Sequence, residues 1–92
     1  MNIENMTQIN NVFNSIISED VSPVDEKIYE IVIILKNERK KQKMSQEKLA
    51  QLSGLTKNTI SRIETLVSIP TLPAILKIAN ALKMDFCLKG IE

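Results

Sequence analysis

The chain has 92 residues, 43% hydrophobic and 25% charged, and its 12 Lys+Arg against 11 Asp+Glu leave a net charge of +1, the profile of a single folded domain with a modest core. With no His, one Cys and two isolated Gly, it lacks the means for His-based acid–base chemistry, a His-ligated metal, an internal disulfide, a thiolate metal cage or a glycine phosphate cradle, so neither an enzyme nor a cofactor is expected. The longest apolar run, Ile31 to Leu35, is far short of a membrane span, and the amino terminus has neither the bases nor the apolar core of a secretion signal, so a reducing cytoplasm is the expected home.

In chain order, Ile3, Met6, Ile9, Phe13, Ile16 and Ile17 recur at three- and four-residue steps, which predicts an amphipathic helix over residues 3–18. Its polar side is rich in Asn, a poor helix former, so it needs a surface to dock on. Residues 1–21 are read as an extension and 22–92 as the main domain. Ser22-Pro23-Val24-Asp25 opens the next helix with a cap, a first-turn proline and acids at the positive helix end. Val24, Ile28, Ile31, Leu35 and Val32 are its expected buried stripe, and the helix runs out through the charged stretch from Glu38 to Lys43.

Ser45 caps a third segment, with Leu49, Ala50 and Leu52 on its apolar side and Gly54 at its exit. Thr56 caps a fourth at once, with Ile60 and Ile63 turned inward. Two short helices separated by a few residues around a glycine form the pattern of a helix-turn-helix, here over residues 45–64. A last helix starts near Thr71, accepts Pro73 in its first turn and is expected to bury Leu72, Ile75, Leu76, Ala79 and Leu82. The tail Met84-Asp85-Phe86-Cys87-Leu88 roughly alternates, the pattern of one short strand. The expected class is all-α, with an extra amino-terminal helix and that short carboxyl-terminal strand.

The net charge conceals an asymmetry. Residues 1–26 carry −5 with no base, residues 27–62 carry +6, and residues 63–92 are neutral. The positive field is densest at Arg39, Lys40, Lys41, Lys43 and Lys48. Composition does not choose between a solvated basic helix face and an electrostatic footprint for nucleic acid.

Residues 35–83 closely resemble the lambda-repressor-like, Cro-type helix-turn-helix family, often called XRE. The matching text is Leu35…Arg39, Ser45-Gln46-Glu47-Lys48-Leu49-Ala50, Gly54-Leu55-Thr56, Ile60-Ser61-Arg62-Ile63-Glu64, Pro70, and Leu76-Lys77-Ile78-Ala79-Asn80-Ala81-Leu82. The resemblance implies a compact five-helix domain that docks on double-stranded DNA, commonly as a two-fold dimer, with the second motif helix (residues 56–64) in the major groove. It implies phosphate contact from Gln46 and a position near the backbone for Thr56. Lys57, Asn58, Ser61 and Arg62 fall at its base-facing positions. Helix periodicity agrees: with Ile60 and Ile63 inside, residues 57, 58, 61 and 62 share the opposite side. Their chemistry also suits base edges, since Arg62 can grip guanine through O6 and N7 and Asn58 can pair bidentately with adenine. Lys57 suits either guanine or phosphate. Lys43, Arg39 and Lys40 are phosphate neighbours or plain solubility charges.

The sequence departs from the family pattern after the motif, in Glu64-Thr65-Leu66-Val67-Ser68-Ile69-Pro70. The family usually has glycine where Leu66 stands, so a longer recognition helix is expected here. A base is usual where Val67 stands, and its loss weakens the phosphate grip. Leu66, Val67 and Ile69, with Phe86, are instead expected to form a homodimer seam. An amino-terminal helix before such a domain and a closing Phe86-Cys87-Leu88 strand are similar to HigA-type antitoxins, autoregulating repressors that neutralise a cognate toxin. With 92 residues, no effector domain is expected beside the motif. The alternatives are a stand-alone phage-like or mobile-element repressor, and an interaction module that no longer binds DNA.

Overall fold

The structure, a computed structural model, describes residues 22–91; the helix expected over residues 3–18 lies outside them. Four helices occupy the described residues: α1 (Pro23–Lys41), α2 (Gln46–Ser53), α3 (Lys57–Glu64) and α4 (Leu72–Ala81). Each starts on a hydroxyl residue. Ser22, Ser45, Thr56 and Thr71 accept the backbone N–H three residues on, at 3.1, 3.0, 3.0 and 3.3 Å. Such a cap satisfies one of the N–H groups that the first helical turn leaves without an acceptor, and each contributes about 1 kcal/mol. Pro23 and Pro73 stand where their missing N–H costs nothing.

The exits are less ordinary. Gly54 leaves α2 at φ 76°. No atom lies within 4 Å of where a Cβ would stand, so glycine is needed there for its backbone angle and not for space. Lys43, Leu66 and Lys83 adopt the same left-handed region at φ 57°, 63° and 61° without being glycine. Each closes a helix with a pair of hydrogen bonds: Lys43 N–H to Lys40 and Met44 N–H to Arg39, Leu66 to Ile63 and Val67 to Arg62, Lys83 to Asn80 and Met84 to Ala79. The expectation of a longer recognition helix is therefore corrected. Leu66 takes the glycine's conformation itself, and α3 stops at Glu64.

The core is built from one side of every helix. Val32 and Leu35 come from α1, Leu49 and Ala50 from α2, and Ile60 and Ile63 from α3. Ile75, Ile78, Ala79 and Leu82 follow the i, i+3, i+4, i+7 spacing along α4 and its cap. Several expected core positions are corrected. Val24 is 68% exposed, and Leu52, Leu72 and Leu76 also face solvent, whereas Ile78, absent from the expected stripe, is buried. The last helix is thus rotated relative to its expected stripe: both sides of α4 carry apolar residues, so periodicity alone could not choose. The short strand over residues 84–88 does not form. A strand needs a backbone partner, and every regular element among the described residues is a helix, whose interior N–H and C=O groups pair within the helix.

Gln42 joins the far ends of α1 and α4, its Nε2 donating to the Leu82 carbonyl at 2.8 Å. Among the described residues no buried side-chain polar atom lacks a hydrogen-bond partner.

Candidate nucleic-acid interface

The α2–α3 pair is joined by Gly54-Leu55-Thr56 and pinned at the turn by Ser53, whose hydroxyl donates to the Ala50 carbonyl and accepts from Leu55 N–H, both at 3.3 Å. The inner side of α3 is sealed by Ile60, which is fully buried, together with Ile63 and Glu64. Its outer side presents Lys57, Asn58 and Arg62 to solvent, with Ser61 half-buried beside them. Thr56 is exposed, but its hydroxyl is engaged: it accepts from Thr59 N–H and donates to Thr59 Oγ1 at 2.8 Å.

A charged cluster beneath the motif sets the pose of α3. The Arg39 guanidinium clasps the Glu64 carboxylate in parallel, Nε to Oε2 at 2.7 Å and Nη2 to Oε1 at 2.8 Å. Nη1 donates to the Met44 carbonyl at 2.7 Å, and Gln46 Nε2 donates to Glu64 Oε1 at 3.0 Å. The two ionic side chains are only 11% and 7% exposed. One cluster therefore ties the end of α1, the start of α2 and the end of α3. Burial pushes the Glu64 carboxyl up, but the hydrogen bonds from Arg39 and Gln46 and the Arg39 charge outweigh it and hold the group below the ordinary carboxylate range. The hydrogen bond to Glu64 likewise raises the Arg39 guanidinium, against the opposing effect of burial.

These contacts correct one reading and refine another. Arg39 is not a phosphate neighbour, because it lies on the core stripe of α1 with Val32 and Leu35 and spends its hydrogen-bonding fork inside the fold. Gln46 opens α2 as expected, yet one amide hydrogen already belongs to Glu64, which fixes the direction of its side chain. Lys40, Lys41, Lys43 and Lys48 remain exposed bases around the motif. Leu66 is half-buried against the core and leaves the proposed seam, whereas Val67, Ile69 and Phe86 are exposed. Two contributors were missed. Glu64 carries a signal in the sequence, an acid one turn after Ile60 on a side otherwise apolar. Glu47, whose Oε1 meets Lys57 Nζ at 2.9 Å, carried no signal that spacing alone could supply.

A family model described as Helix-turn-helix matches residues 35–88, more than half of the chain. The chain belongs to the XRE-type helix-turn-helix family. No curated protein and no solved structure gives a significant match. As a helix-turn-helix domain, the protein is a DNA-binding transcription regulator in the general sense, of a family not typically enzymatic. No helix among the described residues is long and apolar enough to cross a membrane.

Proposed function

We propose that this helix-turn-helix protein is a sequence-specific repressor that binds duplex DNA as a homodimer, with α3 in the major groove. The observation that carries this reading is the two-sided character of α3: its inner side is closed by Ile60, Ile63 and the Arg39–Glu64 clasp, and its outer side offers Lys57, Asn58 and Arg62. Arg62 and Asn58 are the base readers, Ser61 flanks them, and Gln46, Thr56 and Lys43 lie toward phosphate. Residues 22–92 are the DNA-binding domain and 1–21 an extension. That extension lies in the −5 segment, which phosphate repels, so it serves another surface.

The homodimer reading is supported by an apolar run that the fold leaves uncovered. Val67 and Ile69 in the loop, and Leu72 and Leu76 one turn apart on α4, all face solvent. A single motif of this size presents roughly 600–1,000 Å² to DNA, and pairing two half-sites multiplies its specificity. The antitoxin reading rests on an amino-terminal helix, which lies outside the described residues, and on a closing strand, and residues 86–88 form no strand. A stand-alone repressor is therefore favoured; co-purification of a stoichiometric toxin with the natively expressed protein would reverse that preference.

Selection of bound sites from random duplexes, followed by binding curves on single-base variants, tests the central proposal. Arg62→Ala and Asn58→Ala should each cost about 1–3 kcal/mol on the selected site and relax choice at one position. Gln46→Ala should weaken all duplexes alike without changing the salt slope, and Lys43→Ala should reduce that slope by roughly one. Uniform weakening by Arg62→Ala and Asn58→Ala across all variants would show that neither reads a base.

A further inference from the structure

We infer that Glu47 is a positioning residue for DNA specificity, holding Lys57 at the mouth of the helix pair and withholding its charge from phosphate. This deepens the proposed reading of α3 and rests on it. The observation is the contact of Glu47 Oε1 with Lys57 Nζ at 2.9 Å, an ion pair between the first turn of α2 and the first residue of α3. It joins the two helices on the outer side of the motif, away from the buried clasp at Glu64.

Three physical features give the contact its meaning. Lysine is a compact charge on a flexible four-carbon stem, and left alone beside DNA it takes whichever phosphate is near, which adds affinity at every sequence. Glu47 is the better anchored partner. It sits at the amino-terminal end of a helix, where the dipole favours a carboxylate, and the hydrogen bond from Lys57, its own backbone N–H and the Ser45 hydroxyl hold its carboxyl below the ordinary range. An acid at this place would also repel phosphate if it stood alone. Paired, the two charges cancel at long range, while the ammonium keeps N–H groups to donate to a base acceptor within its short remaining reach. The pair thus exchanges non-specific attraction for discrimination. Both side chains are more than half exposed, so the contact contributes little to folding and its consequences appear in DNA binding.

The test is a cycle of four full-length proteins: wild type, Glu47→Gln, Lys57→Met and the double variant. Each is measured on a selected site and an unrelated duplex over a range of salt, with thermal melting as the check that all four fold alike. Glu47→Gln frees Lys57 for phosphate, so the salt dependence should steepen by about 0.9 in log–log slope, and affinity for unrelated duplex should rise about threefold for a fourfold drop in salt relative to wild type. The ratio of specific to non-specific affinity should fall. Lys57→Met leaves Glu47 as a lone acid and should weaken binding to both duplexes, while in the Glu47→Gln background it should cancel the steepening and return the slope to near the wild-type value. The inference is overturned if Glu47→Gln changes neither slope nor specificity ratio, or if it lowers the specificity ratio as much in the Lys57→Met background as in wild type. A wild-type protein that selects no site at all would overturn the reading of α3 itself, and this inference with it.

Discussion

Replacing Arg39 with Met removes three hydrogen-bond donors from the centre of the motif while keeping an unbranched apolar stem on the core stripe of α1. Glu64 would then retain Gln46 as its hydrogen-bond donor, and the Met44 carbonyl would lose Nη1. Breaking a buried ion pair from one side costs roughly 3–5 kcal/mol, because the remaining charge stays desolvated. By the usual per-residue range a chain of 92 residues has a total stability of about 5–14 kcal/mol, so the single change removes a large share of it. Arg39→Met/Glu64→Leu leaves no buried charge. It should be more stable than Arg39→Met alone, yet below wild type by about 1–3 kcal/mol for the partners lost at Met44 and Gln46. Urea unfolding followed by circular dichroism at pH 7 measures wild type, Arg39→Met, Glu64→Leu and the double variant. A single-variant loss below about 1 kcal/mol, the range of a surface pair, would refute the account, as would a double variant destabilised by the sum of its singles.

The same pair has a pH signature whose sign changes with the mutation. In the wild type Glu64 is held below its ordinary carboxylate range, so the unfolded chain binds that proton more tightly. The associated stability is fully present above the unfolded value of about 4.3 and is lost as pH falls through the lower folded value. In Arg39→Met, burial dominates and raises the Glu64 carboxyl. That variant should gain stability relative to wild type as the solution is acidified, and unfolding curves from pH 3 to 7 would show the two converging. Parallel curves across that range would mean that Arg39 does not control the Glu64 proton.

Two further expectations follow from the helix exits and the exposed apolar run. Lys83→Gly should stabilise the fold by up to about 1 kcal/mol, since a left-handed L-residue costs about 1–2 kcal/mol and the added freedom of unfolded glycine offsets about 0.5–1; Leu66→Gly should destabilise it, because Leu66 also packs on the core. Thermal melting of the two variants should shift in opposite directions, and a shared upward shift would remove Leu66 from the core. Val67→Asp and Leu72→Asp, both at exposed positions, should change monomer stability by less than about 0.5 kcal/mol yet yield monomers in sedimentation at tens of micromolar, and unchanged association would move the dimer seam elsewhere.

How much was legible in the sequence depended on the range of the interaction. Ser22, Ser45, Thr56 and Thr71 announced their helices because a cap is settled within four residues, and Gly54 marked its exit because its φ is a property of one residue. The outer positions of α3 followed from the same short-range geometry once Ile60 and Ile63 were taken as inner. Leu66 misled because a packing contact with the core offsets a local backbone penalty that the sequence displays by itself.

The remainder belongs to contacts across the fold. Arg39 looked like one more base in a positive run, and only the approach of Glu64, 25 residues away, turns it into the centre of the motif. The two apolar sides of α4 are equivalent as a pattern; packing against the other helices puts Ile75, Ile78, Ala79 and Leu82 inside and leaves Leu72 and Leu76 in water. The tail shows the converse, since alternation proposes a strand but a strand exists only where another backbone offers its hydrogen bonds. Local chemistry, written in neighbouring residues, thus determined where helices begin and which side of α3 faces outward. Which charges are buried, which apolar side is covered and how the motif is clamped were decided by tertiary structure, because burial and pairing are properties of two surfaces and the sequence displays them one at a time.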